Sequence, residues 1–530
     1  MTDKISTLIE SYSSWTISFD ASNPLNTISV VGIDSNIING EQGCITVEVN
    51  LADYKHKIID ISTSSFFIYS SNSRFPIYFR AVNNKIKLSN IIYNLFDENE
   101  VITIDPFVMC QQLLANYSNY NFFRQIKLLE YNAKYTLNNN DLSYVASTFQ
   151  FIENVSVDEC IDELLLGCES IFSSGRTISV LLSGGYDSRL NLAISLEMAK
   201  KYGNKITLWH EYKDEQEFVF SKNVAESLGI PLNVKDRSTF SESLNQVIFN
   251  SNYIRNNGPT YRTNIPRWFN YLHHIKMTDE NSIIFGHGAE GHKGKYYNQI
   301  DTIGEVTKAF GVDTASVEYI AKALGLEVNN ESQISLFDRL QKHSQFYLDL
   351  SSKIDFIHYH AYVANGYGVR THAMSQYFDI PFPFLDEKFL SLVFSLPRED
   401  KEEFNLVINI IQKLRPEFLD MPFISANMKS LKSKSLRQKI VHTQVIQSLR
   451  KLKMKYFYKT NNAQKITKSQ QSILNEFNYI PKSKITLALK KMLDSRVSTP
   501  VPYLRYEHTL QLYLFLKLCE DEKNISFVCK

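Results

Sequence analysis

Thr177-Ile178-Ser179-Val180-Leu181-Leu182-Ser183-Gly184-Gly185-Tyr186-Asp187-Ser188 decides the fold of this chain. Its first six residues carry no charge and read as a buried strand. Ser183–Ser188 is a Gly-rich turn, and apolar spacing beyond it predicts a helix from about Arg189 to Tyr202. Glycines let the backbone turn tightly, so its N–H groups can converge on phosphate oxygens. The helix that follows adds its positive N-terminal end. Leu182, Ser183, Gly184, Gly185, Asp187 and Ser188 are therefore candidate nucleotide-binding residues, with Ser183 and Ser188 offering hydroxyl donors. A carboxylate beside a polyanion would repel it, so Asp187 is expected to hold Mg²⁺ bridging to the phosphates.

Outward from this stretch, strand and helix patterns alternate. Strands are predicted at Ile206–His210, Pro231–Val234 and Ser282–Phe285, and a helix at Glu215–Leu228. Val157–Phe172 has helical spacing, and from about Val317 onward the pattern is mainly helical. Short connections between alternating elements predict a parallel sheet with helices on both faces. Residues 1–150 read differently. Short alternating segments such as Ile45–Val49 and Phe66–Tyr69, separated by Asn and Ser clusters, predict a two-layer β-rich domain. The expected division is residues 1–150 and 155–530.

With 530 residues, two or more domains are the expectation. The formal charge of +1 gives no global field to attract nucleic acid or a membrane surface. Cys44, Cys110, Cys160, Cys168, Cys519 and Cys529 form no CxxC pair, so neither a zinc site nor a disulfide framework is expected. Reduced thiols, an N-terminus without an apolar signal core and the lack of a membrane-length apolar run lead to the expectation of a cytoplasmic protein. From Asn427 to Ser472 there are 12 Lys and Arg and no acid. That tract is read either as a solvated helical face with a mobile loop or as a surface facing phosphates, an acidic substrate or a partner.

Four segments in order resemble the asparagine synthetase family and its N-type ATP pyrophosphatase (PP-loop) relatives: Ser183–Ser188, Glu217–Gly229, Gly286–Glu290 and Met374–Pro397. Together they span most of residues 155–400. The resemblance implies an α/β, HUP-like parallel-sheet synthetase domain with a helical C-terminal part, preceded by a β-rich, degenerate Ntn-amidotransferase-like domain. It implies ATP and Mg²⁺ as cofactors. Gly286 joins the nucleotide-binding set, and Glu290 takes the place of the family's metal-binding Asp, one methylene longer. Gly291 replaces the acid that follows it in the family, and the family's Arg and Asp-Arg in and before the fourth segment are Pro381 and Arg370-Thr371 here. The changes at 381 and 370–371 argue against an ordinary aspartate substrate.

His287 stands where asparagine synthetases have an acid, and the Gly-His-Gly loop is similar to that of lasso-peptide cyclases. Asp379 matches the family Glu that completes a catalytic pair in the β-lactam synthetases. The resemblance thus implies a His287–Asp379 dyad, in which Asp379 orients the imidazole and His287 takes a proton from an attacking amine. Phe384-Leu385-Asp386 is read as structural. Lys429 is the candidate by spacing for the family lysine that stabilises the adenylate, with Lys432 and Lys434 competing. Thr2 stands where glutamine-dependent members carry their Cys nucleophile, so no glutaminase activity is expected.

The expected function is an AMP-forming amide ligase acting on a small-molecule or peptide carboxylate and an amine, without nucleic acid, and with biosynthetic-pathway proteins as its natural partners. Its rivals are an ammonia-using asparagine synthetase, a lasso-type macrolactam cyclase and a non-catalytic nucleotide-binding scaffold.

Overall fold

The structure is a computed structural model that describes residues 15–20, 28–32, 35–39, 45–51, 54–61, 66–70, 76–114, 122–138, 141–212, 215–236, 251–259, 274–275, 282–284, 286, 288–289, 294, 297, 314–328, 342–347, 349–360, 363, 382–421, 482–494 and 506–529. The N-terminal part contributes strands β1 Trp15–Asp20, β2 Ser29–Gly32, β3 Ser35–Asn39, β4 Ile45–Leu51, β5 Tyr54–Ile61, β6 Phe66–Tyr69, β7 Tyr78–Val82, β8 Lys85–Ser89, β9 Val101–Ile104, β10 Lys127–Leu128, β11 Ala133–Asn138 and β12 Asp141–Ser147, with helix α1 at Pro106–Leu114. Two antiparallel sheets result, ordered β10-β7-β8-β1-β2 and β12-β11-β6-β5-β4-β3. Trp15, Ile17 and Phe19 are buried while Thr16 and Ser18 are less so, the period-2 pattern of a strand with one face in the core. They share one apolar cluster with Val47, Ile59 and Ile68 of the other sheet.

Beyond residue 150 come α2 Val157–Leu166, α3 Glu169–Phe172, β13 Ile178–Leu181, α4 Tyr186–Tyr202, β14 Ile206–Tyr212, α5 Glu215–Leu228, β15 Leu232–Asp236, α6 Ser251–Asn257 and β16 Ser282–Ile284. Ser156 and Glu159 form a reciprocal capping box at the start of α2. The strands pair in parallel in the order β15-β14-β13-β16. Ile178, Ser179 and Val180 are all buried, as a strand covered on both faces requires. The chain is therefore mixed α/β with a parallel sheet, as its strand–helix alternation predicts. The order turns back at β13, whose two neighbours β14 and β16 are reached in opposite directions across the sheet. Such a switch point opens a crevice at the carboxyl ends of the strands.

The helical C-terminal elements are α7 Thr314–Ala323, α8 Leu350–His358, α9 Glu387–Ser395, α10 Arg398–Lys401, α11 Asn405–Leu414, α12 Lys484–Asp494 and α13 Tyr506–Glu522, closed by strand β17 Ser526–Cys529. This last strand departs from the helical expectation. It pairs in parallel with β9, and Phe527 enters a core with Phe96, Phe123 and Phe515. Residues flanking β11 and β12 also bond directly to α9. Asn132 Nδ2 donates to Glu387 at 3.1 Å, and the amides of Gln150 and Ile152 donate to Ser391 and Ser395 at 3.2 and 3.0 Å.

Cys110, Cys160, Cys168 and Cys519 are buried free thiols, and burial pushes Cys160 and Cys168 up to about 12, so they are inert. No helix among the described residues is long and apolar enough to cross a membrane.

Phe527→Ala should destabilise the protein by about 3–5 kcal/mol, read by urea unfolding, because it empties a filled aromatic core. His360 is buried against Phe149, Phe356 and Tyr359, and burial pushes its pKa down to about 4. Its neutral form is the folded form. Its contribution is fully present above the unfolded value near 6.5 and is lost as pH falls toward 4, by up to roughly 3 kcal/mol. Wild-type stability should therefore fall more steeply between pH 7 and 5 than that of His360→Leu.

Candidate functional site

The Gly-rich turn lies at the carboxyl end of β13, at the switch point. Leu182 continues the strand, its amide bonded to Trp209 O at 2.8 Å. Its carbonyl accepts from His210 Nδ1 at 3.1 Å. A carbonyl can only accept, so that nitrogen carries a proton. His210 is fully buried, and its Nε2 has no hydrogen-bond partner among the described residues. Sequence reasoning missed this residue. Its signal was a polar side chain inside the apolar strand Leu208-Trp209-His210.

Helix α4 begins at Tyr186, three residues before the sequence-based start at Arg189. Gly185 supplies the cap position with extended backbone, φ −89° and ψ 168°, and no side chain caps the helix there. Asp187 and Ser188 thus lie in the first turn of a 17-residue helix, where the positive end of the dipole is felt. Gly184 is buried and Gly185 only partly so. Together they leave the turn without side-chain bulk over the helix end.

The two serine hydroxyls are used within the turn. Ser183 Oγ donates to Ser188 Oγ at 3.0 Å and receives the Gly185 amide at 3.4 Å. Ser188 Oγ donates back to Ser183 O at 2.8 Å and to Gly185 O at 3.1 Å. They brace the loop from inside, whereas the sequence reading expected hydroxyls turned toward a ligand.

The second Gly-rich segment meets the first. A Cβ built on Gly286 would stand 3.2 Å from the carbonyl oxygen of Asp187, so the two backbones are in contact. Asn191, buried in α4, holds this arrangement by donating to Ile284 O at 3.2 Å, at the end of β16. Gly288 has φ +99°, and a Cβ there would stand 2.7 Å from Leu385 Cδ2 and 3.1 Å from Phe384 Cβ. Separated motifs therefore meet: Gly286 lies on the Ser183–Ser188 turn, and Gly288 lies on Phe384–Leu385. Asp386 caps α9, accepting from the amides of Lys388 and Phe389 at 3.0 Å each, which accords with its structural reading.

Arg189 anchors α4 from behind. It is fully buried, donates to Phe418 O at 3.1 Å and Met421 O at 3.2 Å, and lies 4.1 Å over the Phe220 ring. Burial lowers its pKa to about 9, which leaves it charged at neutral pH. Phe220 belongs to α5, the second of the four motif segments.

His287, Glu290, Asp379 and Lys429 lie outside the described residues, as do Thr2, Pro381, Arg370-Thr371 and the basic tract 427–472. Among the described residues no group of three His, Cys, Asp or Glu side chains stands ready to hold a metal ion. What the described residues form is a backbone cradle at a helix N-terminus, with Asp187 in the helix's first turn. Such a cradle suits a polyanion.

Neither a scan against protein-family models nor a search of curated proteins gives a match to this chain.

Gly288→Ala should destabilise the fold by about 1–3 kcal/mol in chemical denaturation, because an L residue is strained at that positive φ and its methyl would meet Leu385.

Proposed function

We propose that this chain is an ATP-dependent, AMP-forming amide ligase built on a PP-loop synthetase fold, with a degenerate Ntn-like N-terminal domain. The observation that carries the reading is the contact of Gly286 with the Asp187 backbone at the sheet's switch point. Two Gly-rich segments about 100 residues apart, each expected from sequence to face a nucleotide, meet where an α/β sheet binds ligands.

The residues fit a Mg²⁺-bound triphosphate. The turn carries two glycines, and the α4 N-terminus has no side-chain cap. Asp187 would hold the ion, with Glu290 as its second carboxylate, and bound Mg²⁺ would neutralise charge on the phosphates. The substrate carboxylate attacks the α-phosphorus and the bond to the outer two phosphates breaks. Backbone amides of the turn stabilise the charge that develops on departing pyrophosphate. An amine then attacks the acyl carbon, and AMP leaves as the amide forms. His287 takes the amine's proton and Asp379 orients the imidazole. Lys429 is the candidate cation for the adenylate step. A base at 287 favours an organic amine over free ammonia, because an alkylammonium must lose a proton before it attacks.

ATP–pyrophosphate exchange over a panel of carboxylic acids tests this reading. Asp187→Ala should lower exchange by at least about a hundredfold. His287→Ala should spare exchange and slow amide formation by roughly 10²–10⁴-fold. Equal loss in both steps removes the dyad role, and turnover that yields ADP in place of AMP removes the ligase reading.

A further inference from the structure

Strands β13 and β14 separate just before the phosphate turn. Their pairing runs from Ile178 opposite Ile206 to Leu181 opposite Trp209, and the Leu182 amide adds a last bond to Trp209 O at 2.8 Å. On its other edge β14 stays paired with β15 as far as Tyr212 opposite Asp236. The imidazole of His210 stands where the first ladder stops. It donates from Nδ1 to Leu182 O at 3.1 Å, in place of a main-chain amide. Sequence alone places Leu182 at the nucleotide, yet both its backbone polar groups are bonded within the protein.

His210 is 1% exposed, and its Nε2 has no hydrogen-bond partner among the described residues. Nδ1 and Nε2 belong to one small ring, so a nitrogen without a partner lies beside the turn. With Nδ1 donating, the neutral ring presents Nε2 as an acceptor. Phosphate and carboxylate oxygens have no proton to give it, whereas an amino group has. Buried polar atoms are paired almost throughout native proteins, and an exception beside a ligand crevice calls for a ligand group. Phe218 of α5 flanks the ring, its centroid 5.9 Å away and its plane at 42°.

Ligands of open α/β sheets lie across the carboxyl ends of the strands. With phosphates at the turn between β13 and α4, the nucleoside falls beside β14 or β16. On the β16 side Gly286 lies against Asp187, and Asn191 bonds Ile284 O. The β14 side, where the ladder has ended, is left for the base.

We propose that His210 is a specificity-determining residue that reads the base, its Nε2 accepting a hydrogen bond from the 6-amino group of adenine. The assignment rests on the ligase reading above, which supplies ATP as the nucleotide. Leu182 O orients the imidazole, and the imidazole meets the base. A 6-oxo purine presents an acceptor at the same place, and two acceptors repel.

Binding to the full chain is measured by isothermal titration calorimetry at pH 8 in excess Mg²⁺. The probes are ATP, purine riboside triphosphate, which lacks only the 6-amino group, and ITP. Wild-type protein should bind ATP about tenfold more tightly than either analogue. His210→Asn keeps a donor for Leu182 O and removes the group at the Nε2 position. It should weaken ATP about tenfold and change purine riboside triphosphate less than about twofold, which erases the preference. A preference that survives in the variant overturns the assignment. Equal weakening of ATP and its analogue also overturns it, because a purely structural histidine gives that result. If His210→Asn does not fold, His210→Phe, which fills the space without a nitrogen, takes its place and should show no preference either. Equal wild-type Kd values for ATP and purine riboside triphosphate overturn the assignment without any variant. Wild-type protein that binds none of the three overturns the ligase reading instead, and the assignment with it.

Discussion

Gly286 and Asp187 meet backbone to backbone, and the rest of the candidate site is arranged around that contact. It requires β16 to lie directly beside β13, so that the segments leaving both strands emerge side by side. It requires α4 to begin at once after the glycine pair, so that Asp187 sits in the helix's first turn. A Cβ at 286 would stand 3.2 Å from the Asp187 carbonyl oxygen, so the two segments would have to give by a few tenths of an ångström. Glycine permits this kind of lateral main-chain approach because it carries no Cβ.

Buried polar groups hold the surrounding elements in register. Arg189 ties α4 to the 418–421 turn, Asn191 ties it to β16, and His210 ties β14 to the carbonyl of Leu182. The Lys401–Asp355–Tyr297 triad does the same for the helical part. Such groups contribute little net stability compared with apolar residues of similar size. Each tolerates only one arrangement of its neighbours, since misplacement would leave a buried charge or dipole unsatisfied. Apolar packing among Val180, Leu192, Val393 and Ile410 supplies the cohesion, and the polar anchors select the geometry.

The N-terminal strands are bonded into the remainder of the chain through several independent contacts. β17 completes a two-stranded sheet with β9, Asn132 bridges Tyr359 and Glu387, and His343 pairs with Glu130 at 2.7 Å while stacking on Tyr144. Asn132 is buried with φ 52°, a conformation its short polar side chain tolerates. Glu387 follows Asp386, the cap of α9, so the β-rich part reaches the element whose preceding turn packs on Gly288.

Local sequence was sufficient for the elements whose signals are local. The uncharged run 177–182, the glycine pair and the alternation beyond it determine a parallel α/β sheet, because strand burial and helix periodicity are written in neighbouring residues. The start of α4 was misplaced by three residues, since cap geometry at Gly185 depends on the turn it closes. Which way the serine hydroxyls turn, that His210 clasps Leu182, that β17 pairs with a strand more than 400 residues earlier, and that Lys401 meets Asp355 and Tyr297 were decided only by tertiary structure. Apart from the serine pair, those are contacts between residues far apart along the chain, and no periodicity or spacing encodes a partner that only the folded path brings within reach.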